Sequence, residues 1–253
     1  MTSTDNRRPL DLPEPQALQF GRNHLKTVVC ELKFPTLLEL ETNQPVGIRK
    51  ALKKEYPLYD VVRSFGFQAL GGIMDEQVPK LSSVDKRWSV TIRPAAISLE
   101  TSSYKSFEEL RERVDVVARK ALPFLDTDFF TRVGLRYVNL FPVRPEQARK
   151  IFNPVLIAPL ESGVFGDVDS CFQEIRGVLK TGNYSLRHGY QASEEGPVRY
   201  LFDCDFYVEP LEAGSLTITL DYFHLEADSL FQWALTEYGR ETLGGSRPKK
   251  TGR

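Results

Sequence analysis

Residues 131–141, TRVGLRYVNLF, decide how the chain is read. Their β-branched and aromatic residues make the stretch a strand, and side chains on a strand alternate between its faces. Arg132, Gly134, Arg136 and Val138 then point one way, and Val133, Leu135, Tyr137 and Asn139 the other. The stretch FDCDFYV (202–208) splits alike, with Phe202, Cys204, Phe206 and Val208 set against Asp203, Asp205 and Tyr207. In NYSLRHGYQ (183–191), Arg187 alternates against Leu186 and His188. These strands imply a sheet with one apolar face and one face bearing Arg93, Arg132, Arg136, Arg187, Asp203 and Asp205. Two readings of that face stand open. Its charges pair across strands as structural supports, or its arginine forks grip a carboxylate or phosphate. Gly134 fits both, because a missing Cβ in a strand marks a bulge or a close approach.

Outward from this strand, elements alternate. KTVVCELKF (26–34) sets Val28, Cys30, Leu32 and Phe34 against Thr27, Val29, Glu31 and Lys33, a period-2 strand. PVGIRKALKKEYPLYD (45–60) reads as a short basic helix closed by Pro57. FGFQAL and RWSVTIRPAAISLET give two or three strands. SFEELRERVDVVARKALPFLD (106–126) reads as a helix. Ser106 stands at the N-cap with Glu109 three residues on, and Phe107, Leu110, Val114, Val117 and Ala121 form its apolar stripe. Residues 164–180 suit strand or helix equally. A last helix from about Ser215 carries Leu216, Leu220, Phe223, Ala227, Leu230, Phe231, Ala234 and Tyr238, with Gly244 and Gly245 to end it. The pattern predicts an α+β fold with a largely antiparallel sheet and two or three main helices, in two related βαβ-type halves. One domain is expected over 19–243, with a sub-boundary in the proline-punctuated stretch 141–160. The polar segments 1–18 and 244–253 are expected to be disordered, the first as an arm that could also drape over the domain.

Composition removes several functions. Among 253 residues, Lys plus Arg (33) nearly cancels Asp plus Glu (34), so a net charge of −1 supplies no field to recruit nucleic acid or an anionic membrane. Cys30, Cys171 and Cys204 form no CxxC pair, which argues against a disulfide framework and a cysteine zinc site. MTSTDNRRPLDLPEPQ holds no apolar run of the signal-peptide kind, and no window is long and apolar enough for a membrane span; the cytoplasm is the expected compartment.

Specific chemistries fare no better. His24, His188 and His224 show no HExxH or HxH spacing, and no nucleophile elbow, Walker loop or G-x-G-x-x-G occurs. LGGIMDEQ (70–77) is followed by no helix to offer phosphate its N-terminus. Of the paired aspartates, Asp126/Asp128, Asp167/Asp169 and Asp203/Asp205, the last sits in an apolar run. It suits either the arginines of the same face or a magnesium ion. Glu31-Leu32-Lys33 lacks the upstream aspartate a restriction-type nuclease core needs, since Asp5 and Asp11 lie in the arm. Arg49, Lys50, Lys53 and Lys54, with Arg63 beyond, form a basic patch read as a solvated helix face, with nucleic-acid contact as its alternative. No metal or cofactor is expected.

Taken together, TVVCELKF, the segment ending KKEYPLYD, and RWSVTIRPAAISLETSSYKSFEELRERV resemble the sporadically distributed bacterial family of uncharacterised cytoplasmic proteins, a family defined by its sequence profile alone. VGLRYVNLF and SLTITLDYFHLEADSLFQWALTEYGRETLG extend the resemblance to residues 25–243. Its most specific piece is the G-L-R-Y-x-N pattern of Gly134, Leu135, Arg136, Tyr137 and Asn139. The resemblance implies a bacterial, soluble α+β protein from accessory or defence-type genes, and it carries over no catalytic residue. The expectation is a non-enzymatic module that binds a protein partner or a small anion through Arg132, Arg136, Arg187, Asp203 and Asp205. The alternative is a metal-dependent phosphodiester or nucleotide enzyme using Asp203 and Asp205.

Overall fold

The computed structural model describes residues 7–22, 24–67, 73–161, 163–166, 168–191 and 199–246. The glycines Gly71 and Gly72, the loop 192–197, Asp167 and most of the 244–253 tail lie outside these residues. In chain order the elements are β1 (Gln19–Phe20), β2 (Leu25–Lys33), α1 (Leu38–Thr42), α2 (Val46–Leu52), β3 (Leu58–Phe67), β4 (Ile73–Ser82), β5 (Trp88–Arg93), β6 (Ala96–Thr101) and α3 (Phe107–Ala121). Then come β7 (Phe129–Phe130), β8 (Arg132–Phe141), α4 (Pro145–Ile151), α5 (Pro154–Glu161), β9 (Ser170–Val178), β10 (Asn183–Gln191) and β11 (Arg199–Val208). β12 (Leu211–Glu212), α6 (Leu216–Ala234), α7 (Glu237–Thr242) and β13 (Gly245–Ser246) complete the chain. The fold is α+β with antiparallel pairing, as the alternating strands predicted.

The chain divides into two compact units. One comprises Thr27–Leu135 and Tyr207–Leu220; the other comprises Met1–Lys26, Arg136–Phe206 and Asp221–Arg253. The division falls within β8, β11 and α6, away from the proline-rich stretch 141–160, which instead forms α4 and α5.

In the unit built on Thr27–Leu135, strands run in the order β3-β4-β5-β6-β2, every neighbour antiparallel. Val28, Cys30, Leu32, Trp88, Val90, Ile92, Ile97 and Leu99 are buried on one face. Alternation along β2 and β5 dictates this, because a slip of one residue would turn the apolar set to solvent. Helix α3 buries Phe107, Leu110, Val114, Val117, Ala118 and Ala121 on that face, and Arg113 lies 4.7 Å over the Trp88 ring. Lys120 of α3 holds Glu55, just past α2, at 2.7 Å. Ser106 caps α3 by accepting from the Glu109 N–H at 3.3 Å. Ser106→Ala leaves that N–H without its side-chain acceptor, so a loss of about 1 kcal/mol in urea unfolding is expected, and an unchanged midpoint would refute the cap.

In the other unit, strands follow the order β8-β11-β10-β9. Its core is a ring cluster. Phe152, just past α4, stacks on Tyr200 at 4.1 Å and meets Phe141 edge-on at 5.0 Å, while Phe231 of α6 meets Phe202 at 5.9 Å. Residues 7–18 carry no helix or strand yet are draped on this unit. Leu10 donates to the Val178 carbonyl at 2.8 Å, and Gln16 exchanges two hydrogen bonds with the side chain of Gln232.

One succession of elements occurs twice: strand, two short helices, antiparallel strands, long helix. It runs β2-α1-α2-β3-β4-β5-β6-α3 and then β8-α4-α5-β9-β10-β11-α6. Each time the opening strand lies beside the last strand of its run, β2 beside β6 and β8 beside β11.

Three local readings take their final form here. Within 164–180, Ser170–Val178 forms the strand β9. The entry to α6 is helical despite Thr217, Ile218 and Thr219, with Leu216 and Leu220 buried. The long terminal helix ends at Ala234, not Tyr238. Leu235 leaves it to bridge Phe152, and the Thr236 N–H donates to the Ile151 carbonyl at 2.9 Å. Thr236 then caps α7 by accepting from the Gly239 N–H.

Candidate functional site: an arginine–carboxylate sheet face

Burying a carboxylate without a partner is expensive, so the fate of Asp203 is informative. Its side chain is 5% exposed. Arg136 meets it with a fork: Nε donates to Oδ1 at 2.8 Å and an Nη to Oδ2 at 2.7 Å. Such bidentate pairing fixes the planar guanidinium in one orientation. The arginine itself is 46% exposed, so the pair is buried at one end and open at the other.

Arg187 shares this face. His188 of β10 bonds Tyr200 of β11 at 2.9 Å on the apolar side, so their neighbours Arg187, Arg199 and Asp203 turn to the opposite side. Arg187 is exposed and stands opposite Glu174 in β9. Glu174 accepts from Arg176 at 2.8 and 3.0 Å, and this bond, with lesser help from Arg187 and Ser185, holds its carboxyl below the usual range. Asp205 is half-buried on the same side.

In the other unit Arg132 makes a separate arrangement. It pairs with Glu31 and Glu209, each at 3.3 Å, and its guanidinium lies 4.5 Å over the Tyr207 ring. Gly134 makes room for it, since a Cβ there would sit 2.6 Å from an Arg132 Nη. The close approach expected at Gly134 is therefore made by the chain's own arginine. Arg93 is half-exposed on β5. The structure thus joins Arg136 to Asp203 and sets Arg187 on the same face, while Arg132 spends its charge on Glu31 and Glu209.

The metal reading of Asp203 and Asp205 meets a geometric obstacle, because both oxygens of Asp203 already serve Arg136. Among the described residues no group of three or more His, Cys, Asp or Glu side chains could hold a metal ion. In the basic patch, Arg49 stacks on Tyr59 at 4.5 Å, and Lys50, Lys53 and Lys54 are exposed; the Arg63 side chain lies outside the described residues. Glu31, of the Glu-Leu-Lys stretch, serves Arg132 and lies 3.7 Å from Lys33. His224 bonds the Tyr137 hydroxyl at 3.1 Å, a packed role. Burial, reinforced by Asp203 and Asp205, pushes the Cys204 thiol well up and keeps it protonated.

Sequence reasoning missed Glu209, Tyr207 and Glu174 as partners, and the buried His188–Tyr200 pair. Tyr207 and Glu174 fall on the charged sides of β11 and β9, a signal that alternation carries, whereas Glu209 lies past the end of β11. Alternation sets His188 with Leu186 on the apolar side of β10, but nothing local in the sequence points to Tyr200 as its partner. No helix among the described residues is long and apolar enough to cross a membrane. Compared with known proteins, the chain matches no family model and no curated protein.

Proposed function

We propose that the protein is a non-enzymatic binding module, bacterial and cytoplasmic, from an accessory or defence-type gene cassette. Its sheet face receives an acidic group, borne by a small anion or by a protein partner. The Arg136–Asp203 fork carries this reading. The buried carboxylate holds a half-exposed guanidinium in one orientation, so the ligand meets a cation already ordered. Arg187 adds an exposed cation on the same side. Phe152 and Phe231 pack on the other side of this sheet, opposite the arginines.

Calorimetric titration with inorganic phosphate and with citrate tests the reading. Binding that weakens on the order of tenfold in Arg187→Ala is the expected result, the loss of one charge-assisted contact. Anion binding indifferent to Arg187 would refute the face as the site. Magnesium or manganese binding that disappears in Asp203→Asn would replace the reading with the metal-dependent alternative.

A further inference from the structure

Strand β9 closes one end of the strand order, paired on one side with β10 alone. Which of its backbone groups point outward follows from the hairpin. The Leu179 N–H donates to the Gly182 carbonyl, so Leu179 and Gly182 form a hydrogen-bonded pair, and such pairs alternate along the ladder. Phe172, Glu174, Arg176 and Val178 fall at the non-bonded positions, and their N–H and C=O groups face away from β10. Leu10 confirms the direction by donating to the Val178 carbonyl from that side. Among the described residues, no hydrogen bond is made there to the backbone of Phe172, Glu174 or Arg176.

Exposed edges are commonly guarded against pairing by charge or by coverage. Among the described residues the arm bonds β9 at Val178 alone, and Phe172 and Ile175 are exposed, at 50% and 41%. The charges, Glu174 and Arg176, are of opposite sign and two residues apart. That spacing is self-complementary. Both residues face outward, so an antiparallel partner places outward residues against outward residues. A two-fold axis at Glu174 opposes Glu174 to itself, and one at Arg176 opposes Arg176 to itself. An axis at Ile175 sets each Glu174 against the partner's Arg176.

We propose that β9 is a self-pairing edge, through which two copies of the chain join antiparallel about a two-fold axis at Ile175. Glu174 and Arg176 form two hydrogen-bonded pairs there, each exchanging two backbone bonds across the interface. Like charges directly opposite disfavour a pairing while opposite charges favour it, so charge selects this register over its two neighbours. The arm's hold on Val178 ends the pairing and leaves the central residues to the second copy.

Sedimentation equilibrium across the micromolar range tests the proposal. The expected result is a concentration-dependent rise from the chain's 28.8 kDa toward twice that mass. Arg176→Glu and Glu174→Arg each weaken dimerisation on the order of tenfold or more, because two attractive pairs become repulsive. The double exchange, Glu174→Arg with Arg176→Glu, restores it, since the two-fold at Ile175 then opposes the same charges in reverse. Both positions are exposed, so these variants fold, and circular dichroism melts check that they do. A monomer at every concentration overturns the proposal, as does a dimer indifferent to the single exchanges. A double exchange that fails to restore the dimer overturns the register.

Discussion

Replacing Arg136 with alanine is expected to lower stability by about 2–3 kcal/mol, toward the lower end of what breaking a buried ion pair costs because the arginine is half-exposed. The loss comes from what remains behind. Asp203 is 5% exposed, and both its oxygens rely on the guanidinium. Asp203→Ala leaves the opposite remnant, a 46% exposed guanidinium that water solvates, so about 1 kcal/mol is expected. The double variant then lies close to Asp203→Ala and well above Arg136→Ala. Urea unfolding of the three variants measures this asymmetry. Equal single losses would show that the carboxylate end is not the dependent one.

The same pair shows what the sequence carried and what it could not. Period-2 alternation in 131–141 and 202–208 was enough to set Arg136 and Asp203 on one charged face, because a strand's side chains have only two directions. Alternation treats Asp203 and Asp205 alike, and only strand register gives the fork to Asp203. Arg132 illustrates the limit differently. Its partners Glu31 and Glu209 are 101 and 77 positions away, the latter being 209 minus 132, and no local pattern links such distances. The N-cap at Ser106 was legible because it is local. The break after Ala234 was not, because the apolar stripe runs on to Tyr238. Contacts with Phe152 and Ile151 end the helix, and those contacts exist only after folding.

The repeated succession of elements bears on how the face arose. In both runs an opening strand carries arginine or glutamate at alternate positions, Glu31 in β2 and Arg132 and Arg136 in β8. In the unit built on Thr27–Leu135, Glu31 and Arg132 neutralise each other. In the other unit Arg136 takes a carboxylate from the last strand of its own run, and Arg187 stays exposed. Glu31 of the first run is thus met by an arginine of the second run's opening strand, while the second run also keeps Arg187 exposed.

A second large effect is expected from pH, through His188. Its side chain lies in the apolar layer at 1% exposure, with Nδ1 against the Tyr200 hydroxyl and, among the described residues, no hydrogen-bond partner for Nε2. Burial pushes its pKa down from 6.5 to about 4. Above pH 6.5 the imidazole is neutral in both folded and unfolded chains, and the folded state keeps its full stability. As pH falls from 6.5 toward 4, the unfolded chain takes up a proton that the folded protein refuses, so stability declines. At 1.36 kcal/mol per pKa unit the loss amounts to about 3 kcal/mol by pH 4, with no further contribution from this residue below that. His24 is shifted the same way by burial and by Arg22, and carboxylates add their own acid dependence. The measurement is therefore a difference. Urea midpoints of the natural chain and of His188→Gln are compared from pH 7.5 to 4, about the span over which a histidine of this kind changes charge. The variant starts less stable at neutral pH, because the Tyr200 hydroxyl loses its ring partner, and then falls less steeply on acidification. Parallel curves would mean that His188 is protonated in the fold as easily as in water. Its Nε2 would then have found a partner, which the described residues do not provide.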